Sequence, residues 1–440
     1  SSDVCSSDLM PAPPKVRARG RNADWTHLYN EDVLVMPDTW EYPWYAVWDS
    51  AFHAVTLALV DPELAKRQLT LFTREWYMHP NEQLPAYEWN LCDTNPPVHA
   101  WAALRVYRMD QTATGKADRV FLESVFHKLL MNFTWWVNRK DPNGSNVFQG
   151  GFLGMDNIGV FDRSAPLPMG GYLEQSDGTS WMAMYCLNML AIAWELSRYN
   201  NAYEDIASKF FEHFLYIANA IHNIEGSGES LWDETDGFFY DQLRVPDRTR
   251  HPLRIRSMVG LIPLLAVEIL DHERIAHMPG FKRRMEWFYD NRPDLTRNIT
   301  CIFEPGHHGR CLLSLMSLEQ LKRLLSVMLD ENEFLSRYGI RSLSKIHQAH
   351  PFVFEAEGCM STVRYEPGDS STDLFGGNSN WRGPIWFPVN FLIVEAMKRY
   401  HEFWGNTLEI DCPTGSGRTM TLDAVGGEIA SRLSGIFRLN

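Results

Sequence analysis

Residues 181–196 are apolar on nearly every face, broken only by Tyr185, Asn188 and a few similar residues. A helix of that kind has no side to offer water, so it belongs inside a folded domain with other elements around it. It is also shorter than the roughly 20 residues that a bilayer-spanning helix needs. The segment is therefore read as a buried helix.

Helical spacing recurs along the rest of the chain. Asp61, Pro62 and Glu63 supply an N-cap, a proline at N1 and an acid in the first turn, and Leu64, Gln68, Leu69, Phe72 and Trp76 follow in helical register. Phe121, Leu122, Val125, Phe126, Leu129, Leu130, Phe133 and Trp136 predict a second amphipathic helix, stopped by a turn at residues 141–144. Further helices are expected over 203–221, 258–270, 385–400 and 422–437. Most fall in consecutive pairs, and no internal repeat marks a solenoid. Between them lie long segments rich in Gly, Trp, Asp and Asn, at 150–171, 231–241 and 365–386. Long ordered loops are uncommon unless they are functional, so the pattern points to a site at one end of an α/α toroid. A short strand is expected at 237–240.

Composition narrows the partners. At 45% hydrophobic and 22% charged residues, the chain is neither disordered, collagenous nor coiled-coil. The 41 basic and 55 acidic residues leave a net charge of −14. A nucleic-acid binder carries a basic face, and an anionic membrane surface recruits one too. Neither is an expected partner. Seven cysteines are scattered without a CxxC pair, so no disulfide framework or zinc site is read, and a cytoplasmic location is expected. Residues 1–9 repeat Ser and Asp without the apolar core of an export signal, and a basic, Pro-rich tether follows. Residues 1–24 are read as a non-native leader and linker, once preceded by something larger, and 25–440 as one catalytic domain.

Sixteen tryptophans is a high count, and several stand beside acids and amides in loops. An indole face stacks on the apolar face of a sugar ring while neighbouring carboxylates and amides bind its hydroxyls. In the first such cluster, residues 40–53, Tyr42 and Trp48 offer rings and Asp49 a carboxylate, although Asp49 also suits a helix start. In the second, Tyr87 and Glu88 precede Trp89, and ordinary turn chemistry is the competing reading. In the third, four glycines surround Asp156 in a mainly apolar stretch. A desolvated carboxyl there keeps its proton near neutrality, as a general acid must, whereas the simpler reading is a capped turn. Asp162 and Arg163, just after it, read as an ion-paired support. In the fourth, Gln175 and Asp177 stand just before the buried helix, as ligand groups or as caps. In the fifth, Arg382 lies between Trp381 and Trp386, where a guanidinium can be held flat by stacking. Asp141, Asn143 and Ser145 alternate like the first ligands of a calcium loop, but Phe152 stands where the bidentate acid belongs, so a solvated turn competes.

Taken in order, residues 40–53, 151–164, 175–181 and 380–390 resemble bacterial members of glycoside hydrolase family 63, which includes enzymes akin to mannosylglycerate hydrolase. The resemblance runs from about Asn22 to the last residue. It implies an all-α fold, an (α/α)6 toroid with long active-site loops and a few short strands, and an inverting, exo-acting α-glycosidase, first of all an α-glucosidase. It implies no required cofactor and a small carbohydrate substrate. The family's general acid falls on Asp156. Trp48 and Asp49 fall on the sugar subsite, Trp381, Arg382 and Trp386 on a motif that contributes to it, and Gln175 and Asp177 on a substrate-proximal loop.

One feature departs from the family. Its general base is a Glu in a Gly, His and Trp-rich segment leading to a final helix, and nothing after Phe437 matches. The resemblance thus implies a catalytic domain lacking its N-terminal region and its C-terminal segment. Two alternatives stand beside it: a non-catalytic carbohydrate-binding or structural toroid, and another toroidal glycosidase such as a trehalase or glucoamylase-like protein.

Overall fold

The computed structural model describes residues 32–36, 45–87, 91, 93–141, 143–151, 158–163, 166–296, 310–356, 358–367 and 384–438. They fall into two compact units, Ser1–Arg139 and Lys140–Asn440. Helices dominate both, with short antiparallel strands in the second. Among the described residues, no helix is long and apolar enough to cross a membrane.

The first unit is built on α1 (Val47–Leu57), α2 (Pro62–Leu71), α3 (His99–Thr114) and α4 (Arg119–Arg139). Asp61 caps α2 as its sequence predicts, accepting the Leu64 N–H at 2.9 Å. The helix stops at Leu71, so Trp76 lies beyond it in a turn rather than in register. Gly115 ends α3 in the left-handed region, φ 70°, which a residue with a Cβ enters at a cost. Tyr45, Phe72 and Tyr77 form a buried ring cluster with centroids 5.3–5.7 Å apart, inside the range where aromatic pairs attract. His99 opens α3 and fastens it to α2, its Nε2–H donating to the Leu69 carbonyl at 2.7 Å.

In the second unit, α5 (Ser176–Ser197) is buried at every position from Ser176 to Leu196, as its apolar faces require. It packs on α6 (Ala202–His222) and on a 3₁₀ segment, Met258–Leu265. That segment replaces the helix expected over 258–270. Pro263 lacks an N–H to continue the ladder, and the chain turns instead into a strand, Val267–Asp271. The remaining helices are α7 (His272–Ala276), α8 (Pro279–Asn291), α9 (Pro293–Thr296), α10 (Leu318–Met328), α11 (Phe387–Trp404) and α12 (Leu422–Gly435). The last two pack on each other.

A three-stranded sheet stands at the start of α5. Strand β1 (Tyr172–Glu174) runs into the helix. After β2 (Trp232–Asp233) and its hairpin partner β3 (Phe238–Phe239), strands β4 (Asp241–Arg244) and β5 (Arg250–Leu253) complete the sheet in the order β1-β4-β5. The expected strand at 237–240 is therefore present as β3. Glu174 faces Gln242 across the first pair, which brings Asp241 beside the first residues of α5.

Burial drives the His99 pKa down from 6.5 to about 4, against the opposing pull of its bond to Leu69. The unfolded chain therefore takes up a proton that the folded chain refuses, and stability is lost as pH falls through that window. We expect up to about 3 kcal/mol of pH-dependent destabilisation from this residue between pH 7 and 4. His99→Gln, which can still donate to the carbonyl, should flatten the profile in denaturant unfolding across pH. An unchanged slope would contradict the assignment.

Candidate active site

Tyr42, Glu88, Asp156, Trp381 and Arg382 lie outside the described residues. The others fall into two groups, one in each unit.

In the second unit, polar groups converge on the first turn of α5. The Gln175 side-chain amide makes two bonds with the backbone of one residue: the Gly150 N–H donates to its oxygen at 2.8 Å, and its own N–H donates to the Gly150 carbonyl at 2.8 Å. Thr179 Oγ1 accepts the Phe148 N–H at 3.0 Å. Gly178 permits this closeness, since a Cβ there would sit 2.8 Å from the Phe148 carbonyl oxygen and 2.9 Å from Gln175 Oε1. Arg163 forks between two carboxylates, 2.6 Å to Asp177 and 2.5 Å to Asp241. Asp241 also accepts the Ser176 N–H at 2.7 Å, and Asp177 accepts that of Gly178 at 2.8 Å. Asp177 is fully buried. Burial raises its pKa, the Arg163 charge opposes that rise, and nearby Asp241 adds to it.

Strand β1 is fixed from the other side. Glu174, also buried, takes a two-point contact from Arg250 at 2.6 and 3.0 Å, and Arg244 approaches it at 3.3 Å. Paired, hydrogen-bonded carboxylates of this kind can be buried without stranding a charge.

Trp386 is buried at the N-terminus of α11. Asn390, one turn on, holds that end with its side-chain amide, donating to the Trp386 and Ile340 carbonyls at 2.8 and 3.0 Å and accepting the Ile340 N–H at 2.8 Å. Ser342 donates its N–H and hydroxyl to the Pro384 carbonyl. The end of the Trp-Arg-Gly-Pro-Ile-Trp motif is thus built into the core.

In the first unit, Tyr87 pairs as a lone antiparallel bridge with Ala46, which sets its backbone beside the start of α1, close to Trp48 and Asp49. Trp48 is buried, and Phe52 packs edge-on against it and tilted against Trp101. Asp49 stands in the first turn of α1, where the helix dipole favours a carboxylate. Burial wins, pushing its pKa up to about 7 against a hydrogen bond from its own backbone N–H. Among the described residues it has no cation partner. His53, one turn on, is lowered by burial, and its Nδ1 is buried without a partner among the described residues. A carboxyl whose pKa lies near neutrality can donate a hydrogen bond to a hydroxyl or accept one from it.

Other acidic groups are spoken for. Glu63, Asp110 and Asp118 lie close enough to share a cation. The Lys66 ammonium already stands among them, 3.1 Å from Asp110 and 2.7 Å from Asp118 and in contact with Glu63. Burial works against its charge, yet the hydrogen bonds it donates to these acids hold its pKa above normal. At residues 141–146, Asp141 Oδ1 accepts the Ser145 N–H and hydroxyl, and Oδ2 accepts the Asn146 N–H, while Asn143 donates to the Tyr172 hydroxyl. These contacts close a turn.

Sequence reasoning placed an ion-paired support at Asp162 and Arg163 but missed its partners. Asp241 lies 78 positions from Arg163. A local signal existed only in its position directly after the strand-like Phe238, Phe239 and Tyr240.

With this geometry described, the comparisons with known proteins decide the family. The model of the mannosylglycerate hydrolase MGH1-like glycoside hydrolase domain matches residues 42–287, and that of the glycosyl hydrolase family 63 C-terminal domain matches 311–411. The chain belongs to glycoside hydrolase family 63. An uncharacterized protein of Saccharomyces cerevisiae is 54% identical over 98% of this family 63 chain, and one of Borreliella burgdorferi is 24% identical over 48% of it. The chain spans 41% and 37% of those relatives' own lengths. The structure of a GH63 mannosylglycerate hydrolase from Thermus thermophilus, in complex with Tris and D-glycerate, matches with a TM-score of 0.54 and 16% identity, over 93% of this chain and 89% of that one. The likeness shows the fold that the sequence motifs implied.

Asp49 carries a testable cost. Its pKa is raised from 3.8 to about 7, so the folded chain holds a proton that the unfolded chain releases in that window. Its charged form therefore destabilises the fold above pH 7, and the penalty disappears as pH falls. Asp49→Asn should gain about 2–4 kcal/mol at pH 8, less at pH 5 and little below about pH 3.5 in denaturant unfolding. A loss of stability at pH 8 would contradict the burial argument.

Proposed function

We propose that this chain carries the proton donor and sugar-binding residues of an inverting, exo-acting α-glycosidase that releases a terminal sugar from an oligosaccharide or glycoside. One observation carries the reading: the family match runs from residue 42 to residue 287, through both the Trp48 and Asp49 motif and the segment holding Asp156. In this reading Asp156 protonates the glycosidic oxygen as positive charge develops on the sugar ring. A second carboxylate, roughly 6.5–9.5 Å away, draws a proton from water on the opposite face. No residue described here is given that role. Tyr42, Trp48, Asp49, Tyr87, Glu88, Trp381 and Arg382 are the sugar contacts that the sequence motifs and the family resemblance suggest.

α-Glucosides are the first substrates to test, with mannosylglycerate and trehalose as competitors. Incubation of the intact protein with each, followed by proton NMR of the anomeric signals, should show one α-linkage cleaved with β-sugar appearing first. Asp156→Asn should cut kcat by about 10²- to 10⁴-fold and leave sugar affinity by calorimetry within a few-fold. Wild-type turnover in that variant would refute the acid assignment. Binding of glucose without turnover of any substrate would favour the non-catalytic reading.

A further inference from the structure

We infer that Gln175 and Asp177 are positioning residues: they fasten the two ends of the Gly150 to Arg163 segment to the first turn of α5, and thereby aim Asp156. The inference rests on the reading of Asp156 as the proton donor.

The two attachments are independent in chemistry. At the near end, Gln175 bonds both the N–H and the carbonyl of Gly150, and the Phe148 N–H reaches Thr179. At the far end, Arg163 is ion-paired to Asp177 at 2.6 Å, with Asp241 as its second partner. The two anchor residues are separated only by Ser176, whose N–H is held by Asp241. The ends of a segment spanning residues 150–163 are therefore brought to one place on the most enclosed helix of the unit.

Neither anchor is arranged as a sugar ligand. Gln175 and Asp177 are 3% and 0% exposed, and their bonds turn inward to Gly150, Arg163 and Gly178. Stability alone is a poor reason for burying two acids and a guanidinium, since well-packed apolar residues often serve as well or better. Fixing a loop's geometry is a better one, because misplacing a catalytic group by about 1 Å can cost roughly 100-fold in rate.

The test compares Gln175→Met and Asp177→Asn with wild type in the intact protein. Asp177→Asn leaves Arg163 paired with Asp241, so the buried cation keeps a partner. Two substrates are used: an α-glycoside with an alkyl leaving group, which needs a proton, and the matching α-glycosyl fluoride, which needs little help. The expected result is a kcat loss of roughly 10- to 100-fold on the alkyl glycoside, at least several-fold larger than on the fluoride, with KM little changed. Hydrogen exchange over residues 150–163 should also quicken in both variants. Equal losses on both substrates through KM would make these residues sugar contacts and overturn the proposal. Unchanged exchange over 150–163 would overturn the tether itself. If Asp156→Asn lacks the same leaving-group selectivity, the acid assignment has failed instead, and the exchange result still judges the tether separately.

Discussion

The enclosure of α5 sets the terms for everything around it. A helix buried along its whole length still ends in backbone N–H groups that have no partner within the helix. At the surface, water would take them. Here water is excluded, so the protein supplies acceptors: Asp241 for Ser176 and Asp177 for Gly178. Both acceptors are carboxylates, and buried carboxylates demand a counter-charge. Arg163 provides it to both. The apolar character of one helix thus leads, step by step, to the anchoring of a loop that follows the Asp156 motif.

The first unit shows the opposite use of a buried acid. Around Lys66, three carboxylates share one ammonium, and the charge is settled locally. Asp49 has no such neighbour among the described residues, and desolvation raises its pKa against only a backbone hydrogen bond. Groups kept at that cost concentrate at functional sites. The contrast separates acids whose charge is matched within the fold from one whose charge is not, a distinction that composition cannot make.

The helical scaffold was legible where periodicity and caps agreed. The all-round apolar run of α5, the Asp61 cap of α2 and the strand at Phe238 and Phe239 are local signals, and each is present. The run over 258–270 misled because a short apolar stretch does not distinguish helix from strand, and Pro263 divides it. The site was legible as a set of motifs but not as a set of contacts. Gln175 and Asp177 were visible as polar groups before a helix, yet their partners at Gly150, Arg163 and Asp241 are defined only by folding. The same holds for Asn390, whose amide bonds Ile340 fifty positions away.

A crystal structure of the protein with an uncleaved α-glycoside bound is the most direct measurement of the central claim. The account predicts an Asp156 carboxyl oxygen about 2.6–3.2 Å from the glycosidic oxygen, with Gln175 still paired to Gly150 and Arg163 to Asp177. A bound glycoside whose scissile oxygen is approached by a different acid, with Asp156 turned away from the sugar, would contradict it.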